Sequence, residues 1–198
     1  MKKNLLLCSL LATILLFTGC FGGIKPRSKE VLNQGTVKGT TYTNPYFSFE
    51  MQIDTSWIQK EIERTKYKRP FEADLLRISN YVEDSNYIDD GYLYIYAEKT
   101  NPFSNDPKKY LLDLKEGLEF FTDLTDSTSE VVETKIDGIP FHMLTLKMVD
   151  EENDVTTNQV FYATPIKDYW LVISKTYCYE KQQAVIEKMF QSIRFKRK

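Results

Sequence analysis

Residues Tyr92 to Lys99 alternate with a period of two, yet both of their faces want cover. Tyr92, Tyr94 and Tyr96 fall on one side, and Leu93, Ile95 and Ala97 on the other. A strand at the surface of a sheet would carry one polar face, because successive side chains point to opposite sides. Trp170-Leu171-Val172-Ile173 and Val160-Phe161-Tyr162-Ala163 behave in the same way. Strands apolar on both faces belong inside a sheet that is layered on both sides. This requirement narrows the fold more than any other feature of the chain.

The remaining pattern supplies the layers. Phe47, Phe49, Met51 and Ile53 alternate with Ser48, Glu50, Gln52 and Asp54, which predicts a strand with one wet face ahead of Trp57. Ile58 to Phe71 shows no clear period, whereas Ala73 to Val82 reads as a strand. Asp106 as N-cap and Pro107 at the first helical position open a helix over Pro107–Leu124, with Leu111, Leu114, Leu118 and Phe121 as its apolar stripe. Val131 to Ile136, the turn Asp137-Gly138 and Ile139 to Val149 read as a hairpin, with Pro140 at a strand start where a missing N–H is tolerated. Strands follow at Thr156–Thr164 and Tyr169–Thr176, then a helix at Glu180–Gln191 and a short extended end at Ser192–Phe195. Strands joined by tight turns are antiparallel, and the two helices can bury their stripes only on the sheet. The expected class is α+β, an antiparallel β-sheet flanked by helices on both faces.

The N-terminus carries a different signal. Lys2 and Lys3 precede an apolar run from Leu5 to Phe17, and Thr18-Gly19-Cys20 closes it with small residues and a thiol. This is the layout of a secretory signal peptide, with an apolar region of roughly 7–15 residues. It is shorter than the roughly 20 residues a spanning helix needs. Leu16-Phe17-Thr18-Gly19-Cys20 resembles the lipobox of bacterial lipoproteins, although Phe17 stands where Leu is usual. The resemblance implies that Cys20 is acylated and becomes the mature N-terminus, placing the protein outside the cytoplasm, lipid-anchored to the bacterial cell membrane. The expected organisation is a signal peptide at 1–19, a lipidated tether at 20–37, rich in Gly, Pro and charge, and one globular domain at 38–198.

Removing residues 1–19 takes away Lys2 and Lys3 and no acid, so the formal charge moves from −2 to −4. A mildly acidic surface argues against nucleic acid as a partner. Cys178 is then the only thiol besides Cys20, so no internal disulfide is expected, and it reads as a small buried hydrophobe.

Tyr42-Thr43-Asn44-Pro45-Tyr46-Phe47-Ser48-Phe49, the alternation to Asp54, and Trp57 resemble the opening of PsbP-like domains. Ser192-Ile193-Arg194-Phe195 resembles their closing segment. Ser48 stands where Gly is common, and Asp54 near the customary Pro. The resemblance implies an α/β/α sandwich and no shared enzymatic activity. Its motif residues Tyr42, Phe47, Phe49 and Trp57 read as core-forming, so none is carried over as a site.

Candidate chemistry outside that resemblance is sparse. His142 is the one histidine, and no Cys, His or carboxylate flanks it at metal-ligand spacing. There is no Gly-x-Ser-x-Gly, no phosphate-binding glycine loop and no dinucleotide fingerprint. The acid groups Asp89-Asp90, Asp123 with Asp126, and Glu151-Glu152-Asn153-Asp154 sit in expected turns or helix ends and read as solvated. Catalytic, cofactor-binding and metal residues are therefore expected to be absent. Among the 13 tyrosines, Tyr87, Tyr92, Tyr94, Tyr96, Tyr110, Tyr162, Tyr169, Tyr177 and Tyr179 could form a recognition surface or simply fill the core. Arg194, Lys196, Arg197 and Lys198 make a basic tail. The expectation is a monomeric, non-enzymatic binding or accessory module whose partner is a protein or a small ligand. The alternative is a lipoprotein that binds a small ligand in a pocket between sheet and helix.

Overall fold

The computed structural model describes residues 35–59, 72–80, 91–100, 105–121, 130–150 and 154–196. They lie in a compact unit spanning Asn33–Lys198.

The strands are β1 (Thr36–Lys38), β2 (Thr41–Asn44), β3 (Phe49–Gln52), β4 (Ile58–Gln59), β5 (Glu72–Ser79), β6 (Tyr92–Lys99), β7 (Val132–Ile136), β8 (Ile139–Asp150), β9 (Val155–Ile166), β10 (Tyr169–Tyr177) and β11 (Arg194–Phe195). Helix α1 (Pro107–Phe121) follows β6, and α2 (Glu180–Gln191) follows β10. The fold is the expected α+β arrangement, with every strand pair antiparallel. The meander does not form one sheet. Seven strands make the main sheet in the order β4-β5-β6-β10-β9-β8-β7, and β1-β2-β3-β11 make a second, four-stranded sheet. The alternation from Phe47 to Ile53 is the same whichever sheet receives the strand, so its period could not reveal the split.

Register assigns each side chain to a face of the main sheet. Tyr96 of β6 lies opposite Val172 of β10, which lies opposite Ala163 of β9. Phe161 lies opposite Leu144 of β8. Tyr92, Tyr94 and Tyr96 therefore share the first face with Trp170, Val172, Phe161, Ala163, Leu144 and Leu146. Helix α1 lays Leu111, Leu114, Leu118 and Tyr110 on this face. Asp106 caps its start by accepting a hydrogen bond from the Lys108 N–H at 2.9 Å, as its sequence implies.

The second face carries Leu93, Ile95 and Ala97, each fully buried, with Ile173 and Tyr162. Helix α2 and the small sheet cover it. Phe190 of α2 packs on Tyr162 with ring centroids 4.6 Å apart, and Phe195 of β11 packs on Phe141 of β8 at 6.1 Å. Both faces are thus layered, as the strands with two apolar sides required.

The motif residues at the two ends are structural. Asn44 is buried and closes the turn after β2: its Oδ1 accepts from the Phe47 N–H at 3.1 Å, and its Nδ2 donates to the Tyr42 hydroxyl at 3.1 Å. Tyr42 in turn donates to the Leu75 carbonyl of β5, and burial pushes its phenol up to about 12. Ser48 has φ +58°, a left-handed conformation that glycine adopts at least cost. The preference for glycine at that place thus has a backbone cause. Phe47, Phe49, Met51 and Trp57 are buried, as expected. The closing Ser192 accepts from the Gln52 N–H at 2.8 Å and donates to the Met189 carbonyl at 2.6 Å, clamping α2 to β3.

Candidate functional site

Four of the nine tyrosines singled out above come together on the first face; Tyr87 lies outside the described residues. Tyr92, Tyr94 and Tyr96 stand in file along β6, and Tyr110 of α1 joins them. The rings of Tyr94 and Tyr96 stack at 5.0 Å, and Tyr110 stacks on Trp170 at 5.0 Å. Tyr162 lies on the opposite face beneath α2, and Tyr169 meets Tyr46 near the end of the sheet. Tyr177 ends β10, and Tyr179 caps α2. The tyrosines are therefore not one surface.

Polar groups accompany the file. Tyr94 donates to Asp74 of β5, Tyr110 donates to Glu98 at 2.9 Å, and Gln159 Nε2 donates to the Tyr92 hydroxyl at 3.3 Å. The Arg77 guanidinium lies 5.5 Å from the Tyr92 ring centroid. Burial, then the proximity of Tyr96 and Glu98, raises the Tyr110 phenol above its ordinary range, so it stays protonated as a hydrogen-bond donor.

Three further hydroxyls on this face have no hydrogen-bond partner among the described residues: Ser79 of β5 and Ser174 and Thr176 of β10. Their residues are 2%, 1% and 5% exposed. Ser79 and Thr176 both lie opposite Tyr92, one on each side, while Ser174 lies opposite Tyr94. Adjacent strands are about 4.8 Å apart, so the three hydroxyls and two tyrosines occupy one small area. A buried hydroxyl without a partner costs about 1–3 kcal/mol, and natural sheets hold few of them. Three together are the feature of this structure that core packing leaves unexplained. Sequence inspection missed them because serine and threonine on separate strands carry no motif. The signal that was available is the polar run Ser174-Lys175-Thr176, which follows the apolar run Trp170–Ile173 in one strand.

An expected result follows from the missing partner. Ser174→Ala should leave stability unchanged or raise it by about 1 kcal/mol, measured by chemical denaturation. A loss of similar size would show that the hydroxyl is bonded.

The other sequence candidates fall elsewhere. His142 is on the first face but at the far side of the sheet, half-buried, with Nε2 4.0 Å from Glu133 of β7. Cys178 is half-buried rather than fully buried, since it follows β10 where sheet cover ends; its sulfur lies 3.3 Å from the Thr157 hydroxyl. Of the basic tail, Lys196 pairs with Glu50 at 3.2 Å and Arg194 donates to the Gln191 carbonyl at 2.7 Å. Cys20, Asp89, Asp90, Asp123, Asp126, Glu151, Glu152 and Asn153 lie outside the described residues. Among the described residues no group of three or more His, Cys, Asp or Glu could hold a metal ion, and no helix is long and apolar enough to cross a membrane.

No family profile matches this chain, and no curated protein does. Solved structures do. The solution structure of cyanobacterial PsbP from Synechocystis sp. PCC 6803 overlays with a TM-score of 0.54 at 10% identity, covering 82% of this chain and 96% of that one. The fold is therefore PsbP-like, in agreement with the resemblance of the chain's two ends. Two further structures overlay with a TM-score of 0.46. One is LpqN of Mycobacterium tuberculosis, described as involved in cell envelope biogenesis, at 12% identity over 75% of this chain and 83% of that one. The other is a protein of Bacteroides thetaiotaomicron VPI-5482, at 13% identity over 82% of this chain, which spans half of that protein's length.

Proposed function

We propose that this chain is a membrane-anchored extracytoplasmic lipoprotein whose domain acts as a non-enzymatic binding or accessory module. The observation that carries the binding role is the group of buried, unpartnered hydroxyls of Ser79, Ser174 and Thr176 beside Tyr92 and Tyr94. Hydroxyls and tyrosine rings recognise a molecule through hydrogen bonds and stacking. The carboxylate among them, Asp74, already accepts a hydrogen bond from Tyr94. A polar molecule that reaches these hydroxyls would have to be small, because Ser79, Ser174 and Thr176 are at most 5% exposed. The anchoring role rests on Leu16-Phe17-Thr18-Gly19-Cys20.

Two experiments test the two halves. A thermal-shift screen of polar small molecules should find one that raises the melting temperature; a ligand at 100 times its Kd contributes about 2.7 kcal/mol. Ser174→Ala should abolish that shift while the protein stays folded. A full shift in Ser174→Ala would remove the hydroxyls from the binding role. For the anchor, Cys20→Ala should release the protein from the membrane fraction or trap the precursor. An unmodified Cys20 in membrane-purified protein, seen by mass spectrometry, would overturn the lipoprotein assignment.

A further inference from the structure

Strand β7 ends the main sheet and, among the described residues, pairs with β8 alone. Its five residues are Val132, Glu133, Thr134, Lys135 and Ile136. Val132 is 43% exposed, the Glu133 side chain is 89% exposed, and Lys135 is exposed. An edge strand in the open presents unpaired N–H and C=O groups, ready to pair with another strand.

Which groups point outward follows from the turn. Asp137 and Gly138 form a two-residue connection with φ +47° and +82°, the signature of a type I′ turn. Ile136 and Ile139 flank it and make the first hydrogen-bonded pair. Such pairs alternate along an antiparallel ladder. Ile136, Thr134 and Val132 therefore aim their backbone groups at β8, and Lys135 and Glu133 aim theirs at the open edge. Pro140, opposite Lys135, sits where no N–H to β7 is needed, which agrees.

Two copies of β7 can pair antiparallel only about a two-fold axis. Because only Glu133 and Lys135 offer outward groups, the axis passes through Glu133, Thr134 or Lys135. The first choice sets Glu133 against Glu133, and the third sets Lys135 against Lys135. Like charges directly opposite are unfavourable. The Thr134 axis sets Glu133 against Lys135 on both sides, Thr134 against Thr134, and Val132 against Ile136. A lysine in an edge strand ordinarily blocks association; here it meets a carboxylate of the second copy.

We propose that β7 is a self-association edge: two copies of this chain pair through Val132–Ile136 about a two-fold axis at Thr134, joining their main sheets. A contact of this length is small and transient. It is compatible with a chain that is monomeric in dilute solution and gains weight where copies are confined together.

The geometry provides its own test. At a non-hydrogen-bonded pair the Cα atoms are about 4.5 Å apart, within disulfide reach. Full-length Thr134→Cys, oxidised with diamide in intact cells, should form a disulfide-linked dimer. Wild type, which keeps Cys20 and Cys178, should not. Glu133→Cys and Lys135→Cys should not either, since each would stand diagonal to its own copy at about 7–8 Å. Adding Lys135→Glu or Glu133→Lys to Thr134→Cys should abolish the dimer, and coexpressing the two charge variants should restore it. These residues are at an exposed edge, so soluble monomer in each lane verifies folding. A Thr134→Cys yield no higher than that of Glu133→Cys, or a dimer indifferent to charge reversal, would overturn the proposal.

Discussion

Trp170→Ala should lower the unfolding free energy by about 3–5 kcal/mol, the range for removing a large buried aromatic. Trp170 is 3% exposed, and its ring stacks on Tyr110 of α1 at 5.0 Å. It also belongs to the cluster formed by Leu111 of α1 with Val172, Phe161, Ala163, Leu144 and Leu146 of the sheet. The change would open a cavity where helix meets sheet and remove an aromatic pair. Equilibrium denaturation monitored by circular dichroism measures it. A loss below about 1 kcal/mol would mean that α1 is held by other contacts, and that the layer over the first face is not a cooperative part of the domain.

The second large effect concerns a buried cation. Lys175 is 6% exposed and lies on the second face, with Nζ 2.8 Å from Glu187 of α2 and 4.3 Å from the Phe190 ring centroid. Glu187→Ala should cost about 2–3 kcal/mol, because an enclosed ammonium would lose its counter-charge. The figure lies below the range for fully buried pairs because the Glu187 side chain is 38% exposed. Lys175→Met should cost much less, since the stem packs in the same place and no charge is stranded.

The pH dependence of the same pair has a definite sign. Burial disfavours the charged lysine, but hydrogen bonds with Glu187 and Tyr162 outweigh it and raise the Lys175 amine above its ordinary value of 10.5. A group with a raised folded value binds its proton more tightly in the native state. Its contribution is therefore complete below that ordinary value and disappears as pH rises through the folded one. Denaturation of wild type and Lys175→Met at neutral and at strongly alkaline pH should show the difference between them change only at the alkaline end.

The two helices, the Asp137-Gly138 hairpin and the strands from β5 onward were legible in the chain because local forces specify them. Asp106 and Pro107 satisfy or remove the orphan N–H groups at the start of α1. Asp137 and Gly138 tolerate positive φ, so the turn is written in two residues. The alternation of Tyr92–Lys99 announced a strand with two covered faces, and the structure layers both. The candidate site was only half legible. The tyrosine file on β6 follows from a period of two. Its neighbours Asp74, Ser79, Ser174 and Thr176 come from strands far apart in the sequence, and only their register makes one site of them.

Local signals also could not separate the two sheets. β11 is two residues long and pairs with β3 across most of the chain, as Arg194 opposite Glu50 and Phe195 opposite Phe49. A two-residue strand is too short to show a period, and its position depends on Phe195 finding Phe49 and Phe141. The amino-acid sequence by itself determined roughly where the two helices, β3 and the strands from β5 to β10 begin, which tight turns join the later strands and that both faces of the central strands must be covered, because these depend on φ, hydrogen-bond termini and side-chain period within a few residues; β1, β2 and β4 carried no such signal. The tertiary structure alone decided which strands are neighbours, that Ser48 must adopt φ +58°, which hydroxyls are buried without partners among the described residues and which strands end the main sheet there. Those properties depend on register between distant segments, and a period of two is identical in every register that keeps the same face inward.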